Sequence, residues 1–313
     1  MAQKVTVGAD LRRRDRFTKE DWQIYSFMLP AGILILLFSY MPMYGIVMAF
    51  QNYRAGDNIF ALGEAEWVGL KWFRQYMGST YFSRTMLNTV RLSVLNLIFG
   101  FTIPIIFALL LNEVRTLRFK KLVQTASYLP YFISTVVVAG LVISFTEKNG
   151  LVNNVLAVFG VAPREWLVSP DYFPAIYTVT NVWKTFGFSS ILYFSTLSSI
   201  DPEMYEAARI DGANRWQQMR FITLPGITFI IAVQLVMQMG QIFNANTDLV
   251  LLIYRSSNYR TSDIIGTYVY RMGIEGGRYS YTTAVGLFQS VIALTLTVVT
   301  NRVSNRLTGY GLW

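Results

Sequence analysis

Long apolar runs separated by short polar and charged segments set the pattern of this chain. The runs cover about residues 24–50, 92–111, 125–145, 173–197, 226–254 and 282–303. Each has about 20 residues or more, which at a rise of about 1.5 Å per residue crosses the ~30 Å hydrocarbon core of a bilayer. The pattern therefore predicts six helical crossings. One polar interruption is not a loose connector: residues 206–225 read EAARIDGANRWQQMRFITLP. Asp201 and Pro202 ahead of it have the character of an N-cap and a first helical residue, with Ile200 and Tyr205 in hydrophobic-staple positions. The helix so started runs through Glu206, Ala207 and Ala208 to Asp211 and Gly212, where glycine suits a left-handed turn. A second helix restarts near Asn214 and enters the next apolar run at Pro225.

Between the crossings, Trp67, Trp72, Phe73 and Tyr76 predict an interfacial helix within residues 52–84. The run TSDIIGTYVYRMGIEGGRYSY at 261–281 predicts a short amphipathic helix against the outer face. Residues 1–23 read as a polar, basic arm, since no small-residue cleavage site closes the apolar run that follows. Residues 24–313, without an internal repeat, read as one transmembrane domain.

Composition agrees with a polytopic membrane protein. Of 313 residues, 53% are hydrophobic and only 14% charged, and mean hydropathy is +0.37, an apolar balance rare in soluble chains of this size. The net charge of +9 is explained by basic loops held on the cytoplasmic side, which leaves no case for nucleic-acid binding. Fifteen Lys and Arg fall on the side that holds both termini and the 206–225 stretch, against ten on the other side over longer loops. Both termini and that stretch are therefore expected in the cytoplasm.

Candidate chemistry is limited by what is missing. Without Cys or His, disulfides, thiolate metal sites and imidazole catalysis are excluded. No phosphate-cradling GxxxxGK[ST] sequence occurs, so energy for active transport has to come from another subunit or an ion gradient. Within the crossings the fifth is the most polar: Gln234, Gln238, Gln241 and Asp248 recur at intervals of four, three and seven, with Asn244 beside them. On a continuous helix they form one stripe, which in lipid must face protein or water. The stripe reads either as a hydrophilic path for solute or as interhelical glue. Lys184, inside the fourth crossing, reads either as a contact to a polar or anionic substrate or as the partner of a neighbouring helix.

The 206–225 stretch fits the pattern EAA, three residues, G, nine residues, I, one residue, LP, with Glu206, Ala207, Ala208, Gly212, Ile222, Leu224 and Pro225 in place. It resembles the cytoplasmic loop of permease subunits in binding-protein-dependent ABC importers. The preceding NVWKTFGFSSILYFSTLSSIDPEMYEAARIDGA is similar to the maltose-type carbohydrate permeases. The ending from SDIIGTYVYRMGIEGG to the C-terminus resembles a subgroup serving pectin- or alginate-derived oligosaccharides.

This resemblance implies an all-α fold of six transmembrane helices, the type I importer permease, in the bacterial inner membrane. It implies a non-catalytic subunit that binds no metal and no cofactor, ATP and Mg being held by partner ATPase subunits. The expected partners are a second permease, two ATPases, an extracytoplasmic solute-binding protein, membrane lipid and an oligosaccharide, acidic or neutral. In the family the loop helix docks in a cleft of the ATPase; carried over by position, Glu206 is the charged contact, Ala207 and Ala208 allow close approach, and Gly212 forms the bend. The short external loops depart from the larger maltose permease, so its extracytoplasmic domain is not expected. FNANTDLVLLIYRSS (243–257) only partly meets the subgroup's pattern. A gradient-driven secondary carrier is the alternative from another class.

Overall fold

The structure, a computed structural model, describes residues 19–57 and 65–313, and these are helical throughout except for connecting turns and one isolated antiparallel bridge between Gln51 and Trp67. Among the described residues, four helices are long and apolar enough to cross a membrane: Asp21–Phe50, Thr80–Asn112, Thr135–Ala157 and Tyr279–Thr308. A bent pair, Arg215–Gly226 and Thr228–Gly240, adds a fifth. The expected fourth crossing is divided into Phe173–Ser189 and Ile191–Leu197. The basic arm expected over 1–23 lies outside the described residues up to residue 18, and from Lys19 the chain is already helical.

Several boundaries differ from expectation for identifiable reasons. The second crossing starts twelve residues earlier than expected, at Thr80, because its first turns are covered by protein and so tolerate Thr85, Asn88 and Thr89, all buried. The third expected crossing, 125–145, is interrupted: a helix over Leu117–Tyr128 tightens into a 3-10 turn at Leu129–Phe132 and restarts at Thr135. Pro130 removes a backbone donor there, and the Ser134 side chain accepts the Val137 N–H to cap the restart. The segment after the fifth crossing is not a helix lying on an outer face. The expected short helix is present, as Ile265–Val269 continued by a π-helical stretch over Tyr270–Glu275, but it is driven into the protein, with Ile264, Ile265, Thr267 and Asp263 fully buried. Likewise Trp72 and Tyr76 do not float at an interface but pack inside, in a cluster with Tyr268, Tyr281 and Val285.

Three apolar clusters arrange the bundle from one end to the other. At the end holding the 199–227 loop, Ala108, Leu111, Tyr193, Phe194, Leu197 and Ile227 pack together. At the far end, Leu167, Phe173, Ile253 and Ile264 join one cluster and Tyr76, Tyr268 and Tyr281 another. The fourth span thus runs from the far end to the loop end. It crosses the third at Gly187, where a Cβ would overlap the Ser127 carbonyl, so the two backbones approach as only glycine allows. The first span stands apart: residues 22–43 are exposed in the isolated chain, and only its last turns pack, against Tyr279–Thr308.

The far end also holds a carboxylate with no local sequence signal. Asp263, 0% exposed, receives the Arg84 guanidinium at 2.6 Å and Arg271 at 3.0 Å, plus the Thr267 hydroxyl at 3.1 Å. Burial alone would lower the Arg271 pKa, and the Asp263 charge more than offsets it, holding the group above its usual range. The triad links the start of the second span to the buried 259–275 segment.

Two expectations follow. Gly187→Ala should lower the thermal midpoint of the purified protein, at a cost of roughly 1–3 kcal/mol from overpacking. Gly140→Ala, which meets no atom within 4 Å, should leave the midpoint unchanged or slightly raised; equal effects of the two variants would contradict the close crossing. Asp263→Asn leaves two arginines without their counter-charge and should destabilise by about 3 kcal/mol, seen as faster proteolysis of the 254–281 segment.

Candidate functional site

The fifth span carries the site because its helix is broken in the middle. Thr228–Gly240 ends at Gln241, and the chain resumes helix only at Thr247–Ile253. Gly240 and three Asn or Gln residues within 241–246 weaken the helix there. The expected single polar stripe is therefore corrected: its members sit on two helices and the gap between them. Gln234 and Gln238 are half-buried before the break, Gln241 and Asn244 are exposed within it, and Asp248 is exposed in the first turn after it.

Backbone groups freed at such a break need partners where water is scarce, and side chains from three other spans supply them. Ser93 of the second span donates to the Ile242 carbonyl. Gln289 of the sixth donates to the Phe243 carbonyl at 2.7 Å. Tyr177 of the fourth accepts the Asn246 N–H at 2.9 Å. Asn246 closes the set by accepting the Leu249 N–H at 3.2 Å, capping the resumed helix.

Behind the break runs a chain of amides. Asn246 donates to Asn181 at 3.1 Å, and Asn181 donates to Asn96 at 2.7 Å, tying the fifth, fourth and second spans together. On its open side Asn244 donates to Gln241 at 3.0 Å and receives Gln289 at 3.2 Å. Gln241 and Asn244 are thus brought together with Gln289, whereas Lys184 is held elsewhere, its ammonium donating to the Thr135 hydroxyl at 2.8 Å. Of the polar residues that matter here, Asn246, Ser93 and Tyr177 were not singled out from sequence; a third amide in six residues was the available signal for Asn246.

The loop that feeds this span has the local structure its residues dictate. Asp201 accepts the Glu203 N–H at 3.0 Å and starts the helix Pro202–Ile210. The helix ends in a Schellman turn: Ala213 N–H reaches the Ala208 carbonyl at 2.8 Å and Gly212 N–H the Arg209 carbonyl at 3.1 Å, with Gly212 at φ +78°. Asn214 and Gln217 form a capping box for Arg215–Gln218. A π turn at Met219–Thr223, containing Ile222, leads into Leu224–Gly226, and the chain bends by 56° at Ile227.

Glu206 and Ala207 are exposed, Ala208 and Ile222 half-buried, and Leu224 and Pro225 exposed. Around them Met204, Ile210, Trp216 and Phe221 are more than half exposed, Ile210 at 87%. This apolar face is large for a loop and marks an interaction surface. A cleft of about 800 Å³ lies beside it, between residues 112–115 and Tyr205, Arg209 and Arg215. Among the described residues there is no cluster of acidic, His or Cys side chains able to hold a metal ion.

Residues 100–309 match the family described as binding-protein-dependent transport system inner membrane component. Two relatives from Bacillus subtilis (strain 168) are similar along most of their length. The polygalacturonan/rhamnogalacturonan transport system permease protein YteP is 39% identical over 93% of this chain and 90% of the relative. Protein LplB is 36% identical over 99% and 96%. A solved bacterial alginate ABC transporter, in complex with an alginate pentasaccharide-bound periplasmic protein, has a chain 42% identical to this one. That chain superposes with a TM-score of 0.86 over 94% of this chain and 98% of its own length. The broken fifth span, the capped loop with its exposed apolar face, and these matches lead to one conclusion: the chain belongs to the family of inner-membrane components of binding-protein-dependent transport systems.

Proposed function

We propose that the chain is the permease subunit of an ATP-driven importer that moves an oligosaccharide, received from a solute-binding protein, across the cytoplasmic membrane. The carrying observation is the break at 241–246, where a span opens between two half-helices and presents Gln241, Asn244 and Gln289 side by side. Discontinuous helices of this kind form solute sites at the membrane midplane of transporters, and amides suit sugar hydroxyls because they both donate and accept. The sugar relatives and the alginate transporter chain support this cargo class. Gln234, Gln238 and Asp248 extend the path along the fifth span, and Lys184 adds to it from the fourth.

A second permease completes the path, and two ATPases act through the loop. Glu206 and the exposed apolar side chains around it are the docking surface, Ala207 and Ala208 allow close approach, and Gly212 sets the angle between the two loop helices. The loop's second helix runs through Pro225 into the fifth span, so closure of the motor moves the base of the helix that carries the polar break. In this cycle the loop end is cytoplasmic and the far end receives sugar. ATP and Mg stay on the ATPases, and this chain does no covalent chemistry.

Glu206→Lys reverses a surface charge, and Gly212→Pro imposes a negative φ where +78° is needed. Each should reduce uptake into proteoliposomes at least tenfold and detach ATP hydrolysis from stimulation by loaded binding protein; unchanged uptake in both would remove the coupling role. Replacing Gln238, Gln241 and Asp248 together by Leu should abolish uptake while the complex still co-purifies. Intact uptake in that variant would leave the stripe as packing only. Transport by the chain alone under an ion gradient would support the secondary-carrier reading instead.

A further inference from the structure

Among the described residues, the cation in the middle of the fourth span has no acidic partner. Lys184 lies about 16 Å along the helix from Phe173, at roughly 1.5 Å per residue, and the chain continues helical through Ile191–Leu197 beyond it. The side chain therefore cannot reach either membrane surface by extending along the helix. Its ammonium makes one hydrogen bond, to the neutral Thr135 hydroxyl at 2.8 Å. The ion pairs among the described residues join Arg84 and Arg271 to Asp263, Arg260 to Asp171, and Arg215 to Glu113; Lys184 is in none of them. Thr135 is the first residue of a twelve-residue helix, so the nearest backbone presents its positive end rather than a counter-charge.

The outer arginines differ in this respect. Arg84 and Arg271 share the carboxylate of Asp263, and Arg260 pairs with Asp171. Lys184 keeps its charge available. One turn further along its helix Phe188 stacks on Tyr131 at 3.9 Å and 3°, with Phe132 edge-on at 6.1 Å. These rings are 37%, 40% and 73% exposed. A cation one helical turn from a cluster of aromatic rings matches a sugar ring that carries a carboxylate: the ring's C–H face suits the aromatics and the charge suits the ammonium.

We propose that Lys184 is a specificity-determining residue whose counter-charge arrives with the cargo: it binds the carboxylate of a uronic-acid oligosaccharide during passage. This rests on the permease reading above and names the substrate class within it. The cation is retained in a costly position because acidic cargo, rather than an acid among the described residues, neutralises it.

The test uses the complete transporter, reconstituted with its binding protein, and two probes: alginate pentasaccharide and the same pentasaccharide with its carboxyls reduced to alcohols. Lys184→Met should lower uptake of the acidic probe at least tenfold, and Lys184→Arg should restore it to within threefold. Recovery of the complex and stimulation of ATPase by loaded binding protein should be unchanged in both. The proposal is overturned by normal acidic uptake in Lys184→Met, by an equal loss in the arginine variant, or by loss of assembly or ATPase stimulation together with uptake. A wild-type transporter that imports the reduced probe and rejects the acidic one overturns it while leaving the permease reading intact. A wild type that imports neither, nor any other oligosaccharide, removes the permease reading itself.

Discussion

Inside a bilayer every backbone N–H and C=O must find a partner within the protein, and the architecture around the fifth span follows from that requirement. A helix satisfies it automatically; the six residues 241–246 do not, and are tolerated because Ser93, Tyr177 and Gln289 reach in from three different spans. Those spans are consequently fixed around the break, and the Asn96–Asn181–Asn246 chain fixes them a second time. Polar residues that would be liabilities in lipid thus become the means by which the bundle is assembled in one arrangement.

The same break divides the labour between stiffness and movement. The half-helix before it packs against Tyr279–Thr308 and at its near side meets the loop through the 56° bend at Ile227. Thr247–Ile253 is anchored in the far-end core by Leu249, Val250 and Ile253, so the coupling proposed above would act on Thr228–Gly240. The polar side chains between the two are where that action would be felt.

Much of this was legible in the residues, and the unread part has a common cause. Caps and turns are local, so Asp201-Pro202, Gly212 and Asn214 announced the loop's helices to within a residue. Apolar runs announced the spans, yet their ends were misplaced wherever protein rather than lipid covers the helix, as at Thr85 and Thr89. The fifth span looked like one helix because its residues keep a helical spacing across the break; what ends the helix is a set of partners 46 or more positions away in sequence, such as Gln289, Asn181 and Tyr177. Asp263 was invisible for the same reason, since Arg84 lies 179 residues from it. Lys184 was noticed because a charge in an apolar run is itself a local signal, while its lack of an acidic partner required the fold.

The loop's own closure has a mechanical consequence. Tyr205, in its first helix, meets Thr223, at the end of its second, through their hydroxyls at 3.0 Å. Ile200, ahead of the first helix, lies against Gly226 beyond the second, where any Cβ would strike it. Arg215 reaches toward Glu113 at the end of the second span. Triangulated in this way, residues 200–226 form a braced truss rather than a hanging arm. In the coupling role proposed above, a push on Glu206–Gly212 would reach Pro225 through these three contacts.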